Sequence, residues 1–136
     1  VGFYPNQKIT DVKKSIEGSI STSIKKNKSL KNIFYKLNYS GFQSRGCIVD
    51  TNSKFIRTLE KAHIKVNKKK PELFASAATT DAKLFNLYGD TPATCYGPEA
   101  KNIHGIDESV SIESTQRVAT TIALFIADWC KLIRKV

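Results

Sequence analysis

The stretch TPATCYGPEAKNIHGIDESVSIESTQRVATTIALFIADW, residues 91–129, places a short strand, a polar loop and a long helix in succession. Pro92 to Tyr96 is β-prone and ends at the turn pair Gly97-Pro98. Ser111 is a preferred N-cap residue, and Glu113 favours the helix dipole in the first turn. The apolar spacing predicts a buried helix face made of Val118 or Ala119, Ile122, Phe125 or Ile126, Trp129 and Ile133.

The same alternation of helix and strand extends from this stretch back to the N-terminus. Three helices are predicted: one from an N-cap at Thr10 to about Lys26, one from the Thr51-Asn52-Ser53 capping cluster to Pro71, and a short one capped by Asp81 that runs through Leu87. Strands are predicted at 33–39 and 72–77, and a strand or lead-in at 47–49. This order predicts an α/β fold. Two glycines and two serines at 40–46 form a soft boundary between a small and a larger part.

Composition narrows the class of partner. The 136 residues carry a net charge of +10, from 22 Lys and Arg against 12 Asp and Glu. A basic balance is compatible with an anionic partner, but 18 of the cations are Lys, whereas base and phosphate recognition favours the Arg fork. The lysine clusters lie near predicted helix ends, where cations favour the dipole and solubility. We therefore expect neither nucleic acid nor a membrane as partner.

Cysteine content, hydropathy and the absence of methionine bear on the cellular location of the chain and on whether it is a piece of a longer protein. Three scattered cysteines are too few for a disulfide framework, which fits a reducing cytoplasm. The longest apolar-rich stretch is too short to span a membrane, and no secretory leader is visible. The chain begins at Val1 and contains no methionine, so we expect it to be a piece of a longer protein.

The two histidines differ in context. His63 lies in a predicted helix beside its apolar face, a position typical of a structural boundary residue. His104 lies in a loop that follows a predicted strand, where open α/β sheets place their sites. Asp107 and Glu108 supply nearby acceptors that could orient the imidazole of a metal ligand. From spacing alone, a metal ligand and an ordinary surface histidine are equally good interpretations of His104.

Three ordered segments carry a resemblance to a known family. They are ATTDAKLF at 78–85, TPATCYGP at 91–98 and IHGIDE at 103–108. Together they resemble the C-terminal signature of the acetylornithine deacetylase and succinyl-diaminopimelate desuccinylase family of M20 peptidase-like metallohydrolases. In that family a Thr-Asp-Ala-Arg turn, a strand into Gly-Pro and an Ala-His-Gly-x-x-Glu loop follow in this order. Asp128-Trp129 resembles the pair that closes the last helix.

The resemblance implies a domain organisation and an assembly. Residues 1–42 would be the C-terminal part of a small dimerisation domain, and residues 43–136 the C-terminal part of a catalytic domain. The whole chain would correspond to about the last third of a family enzyme, which would be a homodimer in full-length form.

The resemblance also implies a site and a reaction. His104 would be a metal ligand, and Thr80, Asp81, Gly97 and Glu108 would line the substrate site. Two zinc ions per full-length subunit, or cobalt or manganese, would serve hydrolysis of an amide in a small N-acyl amino acid or peptide. The general base and the other ligands would lie upstream, because no His-x-Asp or Glu-Glu occurs here. We therefore expect the chain alone to be inactive.

One departure and one alternative bear on this interpretation. Lys83 stands where the family usually has Arg, which keeps the charge but loses the fork that grips a carboxylate. The alternative function is a non-catalytic basic α/β module that binds a protein or an anionic partner.

Overall fold

A computed structural model describes residues 1–132. In chain order its regular elements are α1 (Ile9–Lys26), a 3₁₀ turn (Lys28–Leu30), α2 (Lys54–Asn67), α3 (Ala82–Tyr88), β1 (Ala100–Lys101), β2 (Ser109–Val110) and α4 (Ile112–Trp129). The chain forms two compact units, the first made of Val1–Ile48 and Ala75–Lys83, the second of Val49–Phe74 and the chain from Leu84 onward. The first unit thus contains residues 1–42 and also residues 43–48 and 75–83. The assignment of residues 1–42 to a dimerisation domain stays a prediction.

The first unit is built on α1. Val12, Ile16, Ile20 and Ile24 recur every four residues along one face of the helix, and all four are half-buried. The predicted N-cap is wrong: the helix begins at Ile9, one residue before Thr10, and its N-cap Lys8 has no side-chain hydrogen bond. Asp11 in the first turn partly compensates, because a carboxylate there favours the helix dipole.

Residues 33–39 lie against α1 through side-chain contacts and are not a strand. The Tyr39 hydroxyl donates to the Lys13 carbonyl at 3.1 Å, and the hydroxyls of Tyr35 and Ser21 are 3.0 Å apart. Among the described residues, 34–49 make no backbone–backbone hydrogen bond. The segment has the composition of a strand but no strand beside it to complete a ladder.

The segments 47–49, 72–77 and 92–96 are likewise not strands. In the part of the chain that the structure describes, the only sheet is the β1–β2 pair. The architecture is therefore mainly helical with few strands, and the prediction of an α/β fold is confirmed for its helices only. Large apolar side chains of the predicted strands stay at the surface; Phe34 is 100% exposed and Phe74 83% exposed.

Gly46 occupies a tight place in the first unit. A Cβ at this position would come within 2.8 Å of the Pro5 carbonyl oxygen, closer than real Cβ contacts allow. The backbone at the end of the glycine- and serine-rich segment therefore passes directly against the Pro5 turn, which the Gln7 N–H to Tyr4 carbonyl hydrogen bond closes at 3.0 Å.

The second unit is built on the packing of α2 against α4. The prediction of the Ser53 cap is confirmed, since its hydroxyl accepts from the Ile56 N–H at 3.4 Å. Ile56 and Ala62 of α2 are buried. Phe55 meets Phe125 and Trp129 of α4 edge-on, with ring centroids 5.4 and 5.6 Å apart.

The buried face of α4 differs from the predicted one. Ser114 and Thr121 are its buried residues. Of the predicted set, Ile122 and Trp129 are exposed, whereas Val118 and Phe125 are only half-buried. The physical reason is that both buried hydroxyls are satisfied: that of Thr121 donates to the Arg117 carbonyl at 2.8 Å, and that of Ser114 accepts a backbone N–H. A satisfied hydroxyl can be buried at little cost. Ile133, also predicted on this face, lies outside the described residues.

Candidate functional site

The segment that carries His104 is a short β-hairpin. β1 and β2 pair antiparallel, with Ala100 opposite Val110 and Lys101 opposite Ser109. Between them, residues 102–108 form a tip whose side chains are all exposed. Four paired residues give little ladder energy of their own, so the position of the tip depends on what holds the base of the hairpin.

The tip has an unusual backbone. Asn102, His104 and Asp107 all have left-handed backbones, with φ values of 53°, 62° and 58°. Asn, Asp and His adopt this conformation more readily than other non-glycine residues. The Gly105 N–H donates to the Asn102 carbonyl at 2.6 Å, which closes a turn around His104. The local sequence therefore suits the conformation of the tip, in which the His104 side chain is exposed.

The base of the hairpin is attached to the start of α4. The Glu99 N–H donates to the buried Ser114 hydroxyl at 2.7 Å, and the Ser111 N–H donates to the Glu99 carbonyl at 3.0 Å. Ser111 is also the N-cap of α4, as predicted, since its hydroxyl accepts from the Ser114 N–H at 3.2 Å. One end of a regular helix therefore fixes both edges of the hairpin.

His104 itself makes no hydrogen bond or ion pair with any other described residue. The structure thus does not place Glu108 or Asp107 on the imidazole, and the proposed orienting contact stays a prediction. Both ring nitrogens of His104 are available to a ligand. A groove of about 300 Å³ lies on the hairpin below the tip, lined by Glu99, Ala100, Lys101, Ser109, Val110 and Ser111.

The other predicted site residues divide between the two units. Thr80 and Asp81 belong to the first unit, and Gly97, His104 and Glu108 belong to the second. The Thr80 hydroxyl accepts from the Ala82 N–H at 3.3 Å, so Thr80 assists the start of α3 where Asp81 was predicted to cap it. Gly97 is exposed with open space around its α-carbon, which leaves room for a ligand at the turn.

A second polar arrangement involves His63, which the sequence predicted as a boundary residue. Its Nδ1 lies 2.7 Å from the Tyr96 hydroxyl, and the two rings meet edge-on at 5.7 Å. Asn67, one turn further along α2, donates through Nδ2 to the His63 carbonyl at 3.1 Å. No local signal could reveal the partner, because Tyr96 is 33 residues away in sequence.

Burial lowers the pKa of His63, and the charge of nearby Lys69 lowers it further. Its Nε2 is buried and has no hydrogen-bond partner among the described residues. The ring is therefore neutral near pH 7 and carries one orphaned nitrogen.

The described residues do not form a metal centre by themselves. Among them no group of three or more His, Cys, Asp or Glu side chains comes together in a way that could hold an ion. A catalytic zinc usually takes three protein ligands, so His104 can supply only one of them.

Comparison with known proteins gives the family. The family described as Peptidase family M20/M25/M40 matches the chain over residues 7–128. This chain belongs to that family. The match confirms the broader prediction of an M20 member, and it does not single out acetylornithine deacetylases or succinyl-diaminopimelate desuccinylases within it.

One curated relative of this chain is a deformylase. The M20 chain is 30% identical over 139 residues to the N-formyl-4-amino-5-aminomethyl-2-methylpyrimidine deformylase of Bacillus subtilis (strain 168). The match covers 96% of this chain and 32% of the relative, so the chain spans about a third of the relative's length. Among the described helices of the M20 chain, none combines the length and hydropathy needed to cross a bilayer.

Proposed function

We propose that this chain is part of a metal-dependent amide hydrolase in which His104 is one of the metal ligands. The observation that supports this best is the placement of His104: an exposed imidazole with no partner among residues 1–132, on a hairpin whose base is fixed to α4. Membership in the M20 family and the likeness to a deformylase support amide hydrolysis in general.

The substrate that we propose is a small N-acyl compound, either an N-acyl amino acid or a short peptide. A deformylase removes an N-formyl group, which makes a small acyl group on nitrogen the common element. Thr80, Asp81, Gly97 and Glu108 would line the substrate site, as the family resemblance implies. We place the reaction in the cytoplasm, on the ground of the low cysteine usage.

The metal that we propose is zinc, two ions per full-length subunit, with cobalt or manganese as substitutes. When bound, such ions polarise a substrate carbonyl and lower the pKa of a bound water. The remaining ligands and the general base would come from outside these 136 residues. This chain would contribute one imidazole, that of His104, with the second ring nitrogen able to donate to an oxygen.

The decisive experiment replaces His104 in the full-length gene product. His104→Ala is expected to lower kcat/KM for N-formyl and N-acetyl substrates by about a hundredfold or more, since ligand loss removes most of the metal's contribution. The zinc content measured by plasma mass spectrometry falls with it. Folding, followed by far-ultraviolet circular dichroism, is unchanged because the residue is exposed at a hairpin tip.

Ile106→Ala is the matched control, because Ile106 lies on the same tip, is 90% exposed and has no metal-binding atom. It is expected to keep activity within a few fold. Equal activity of the two variants would contradict the ligand assignment. A coding sequence that lacks in-frame His-x-Asp and Glu-Glu upstream of Val1 would instead favour the non-catalytic binding module.

A further inference from the structure

We propose that His63 is a positioning residue, which acts through Tyr96 to fix the hairpin that carries His104. The inference rests on the proposed function for its catalytic meaning. Its structural content is a hydrogen-bonded link between α2 and the segment that leads into β1.

The Asn67 amide indicates which atom donates in the bond between His63 and Tyr96. Asn67 Nδ2 donates to the His63 carbonyl at 3.1 Å and also lies 3.4 Å from His63 Nδ1. An amide NH₂ is a donor only, so it faces Nδ1 favourably when that nitrogen is an acceptor. The Tyr96 hydroxyl then donates to Nδ1 at 2.7 Å, and the ring proton is on Nε2.

This arrangement has an energetic cost at His63 Nε2. With the proton on Nε2, a buried N–H has no partner among the described residues. An apolar side chain at the same place would avoid that loss. The half-buried position of His63 is thus better explained by the bond that Nδ1 makes to Tyr96 than by packing alone.

Tyr96 lies close to the hairpin along the chain. Glu99 is attached to α4 through Ser114 and Ser111, and β1 begins at the next residue. Three residues earlier, Tyr96 is attached to α2 through His63. The chain between them contains Gly97, where an added Cβ would meet no atom within 4 Å among the described residues. Without the Tyr96 attachment, only the start of α4 would hold the hairpin, through its bonds to Glu99.

The experiment uses amide hydrogen exchange by NMR on the 136-residue chain, with three variants. His63→Leu removes the acceptor, and Tyr96→Phe removes the hydroxyl but keeps the ring contact. His63→Asn places an amide oxygen near the position of Nδ1 and serves as the conservative rescue. The central amides of α2 and α4 report whether each variant keeps its overall fold.

The expected result is selective loosening of the hairpin. The β1 and β2 amides should exchange about tenfold faster in His63→Leu and Tyr96→Phe, the effect of one lost hydrogen bond on local opening. His63→Asn should stay within about threefold of the unmodified chain, and helix amides should not change. Long-range ¹H–¹⁵N spectra should show the proton of His63 on Nε2. Unchanged hairpin exchange in both disruptive variants, or a proton on Nδ1, would overturn the proposal.

The two proposals fail separately. If His104→Ala kept full activity while the hairpin loosened as expected, the ligand assignment would fail and the link would stand. If His104→Ala abolished activity while hairpin exchange was unaffected, the positioning role of His63 would fail and the proposed function would stand.

Discussion

The position of His63 on α2 determines the environment that lowers the pKa of its imidazole. The ring is half-buried and contacts Tyr96, and the charge of Lys69 acts on it, so burial and Lys69 both disfavour its charged form. The sequence could identify the helix but could not identify this environment, because the contact to Tyr96 is a tertiary one.

The lowered pKa of His63 predicts a pH dependence of stability. The unfolded chain titrates this histidine near 6.5, whereas the folded chain binds the proton only at lower pH. Below pH 6.5 the unfolded chain therefore binds more protons at this histidine than the folded chain does. The free energy of unfolding should fall as the pH drops below that value. Above it, the contribution is fully present.

Urea unfolding at pH 5.5, 6.5 and 7.5 would measure this slope. His63→Asn should flatten it, because asparagine does not titrate, and His104→Asn should leave it in place. An equal slope in the chain and in His63→Asn would show that other groups cause it.

At the scale of elements, the Ser53 and Ser111 caps could be predicted from the sequence, whereas the cap of α1, the buried face of α4 and the strands could not. The Ser53 and Ser111 caps involve residues three apart, so the information is local. A strand depends on a neighbouring strand that is distant in sequence. Residues 33–39 instead lie against α1, through hydrogen bonds of Tyr35 and Tyr39. For the candidate site, the exposed loop around His104 was predictable, while its hairpin form and the role of His63 were not.

The buried face of α4 gives a direct test at this scale. Phe125 packs edge-on against Phe55 and is half-buried, whereas its neighbour Ile126 is 48% exposed. Phe125→Ala should lower the free energy of unfolding by about 2–3 kcal/mol, less than a fully buried aromatic would lose. Ile126→Ala should cost less than about 1 kcal/mol. Chemical denaturation of both variants would decide, and the reverse order would show that Ile126, the other residue that apolar spacing allowed at this place, is the one that packs.

At the scale of the whole chain, the incomplete ligand set predicts weak metal binding. The described residues offer one exposed imidazole at the proposed site and no cluster around it. Calorimetry with zinc should give an affinity no better than that of an ordinary surface histidine, and no deacylase activity. Micromolar or tighter binding accompanied by activity would contradict both the ligand count and the expectation that the site is completed from outside.

Assembly is the second property at this scale. We expect a homodimer in the full-length protein and a weak or absent one for these 136 residues. Residues 33–39 form no ladder, and a net charge of +10 opposes association of two copies at low salt. Multi-angle light scattering should give the mass of a monomer. A tight dimer would show that this chain contains the whole interface.

The order in which the two units obtain their segments has a consequence for synthesis on the ribosome. The first unit needs Ala75–Lys83 as well as Val1–Ile48, and α2 meets its packing partner α4 only after residues 68–111 have been made. At about 5–20 residues per second, Phe55 and Ile56 spend several seconds outside the tunnel with nothing to cover them. The nascent chain therefore passes through a period in which a holding chaperone has more of this protein's apolar surface to bind than the finished fold presents.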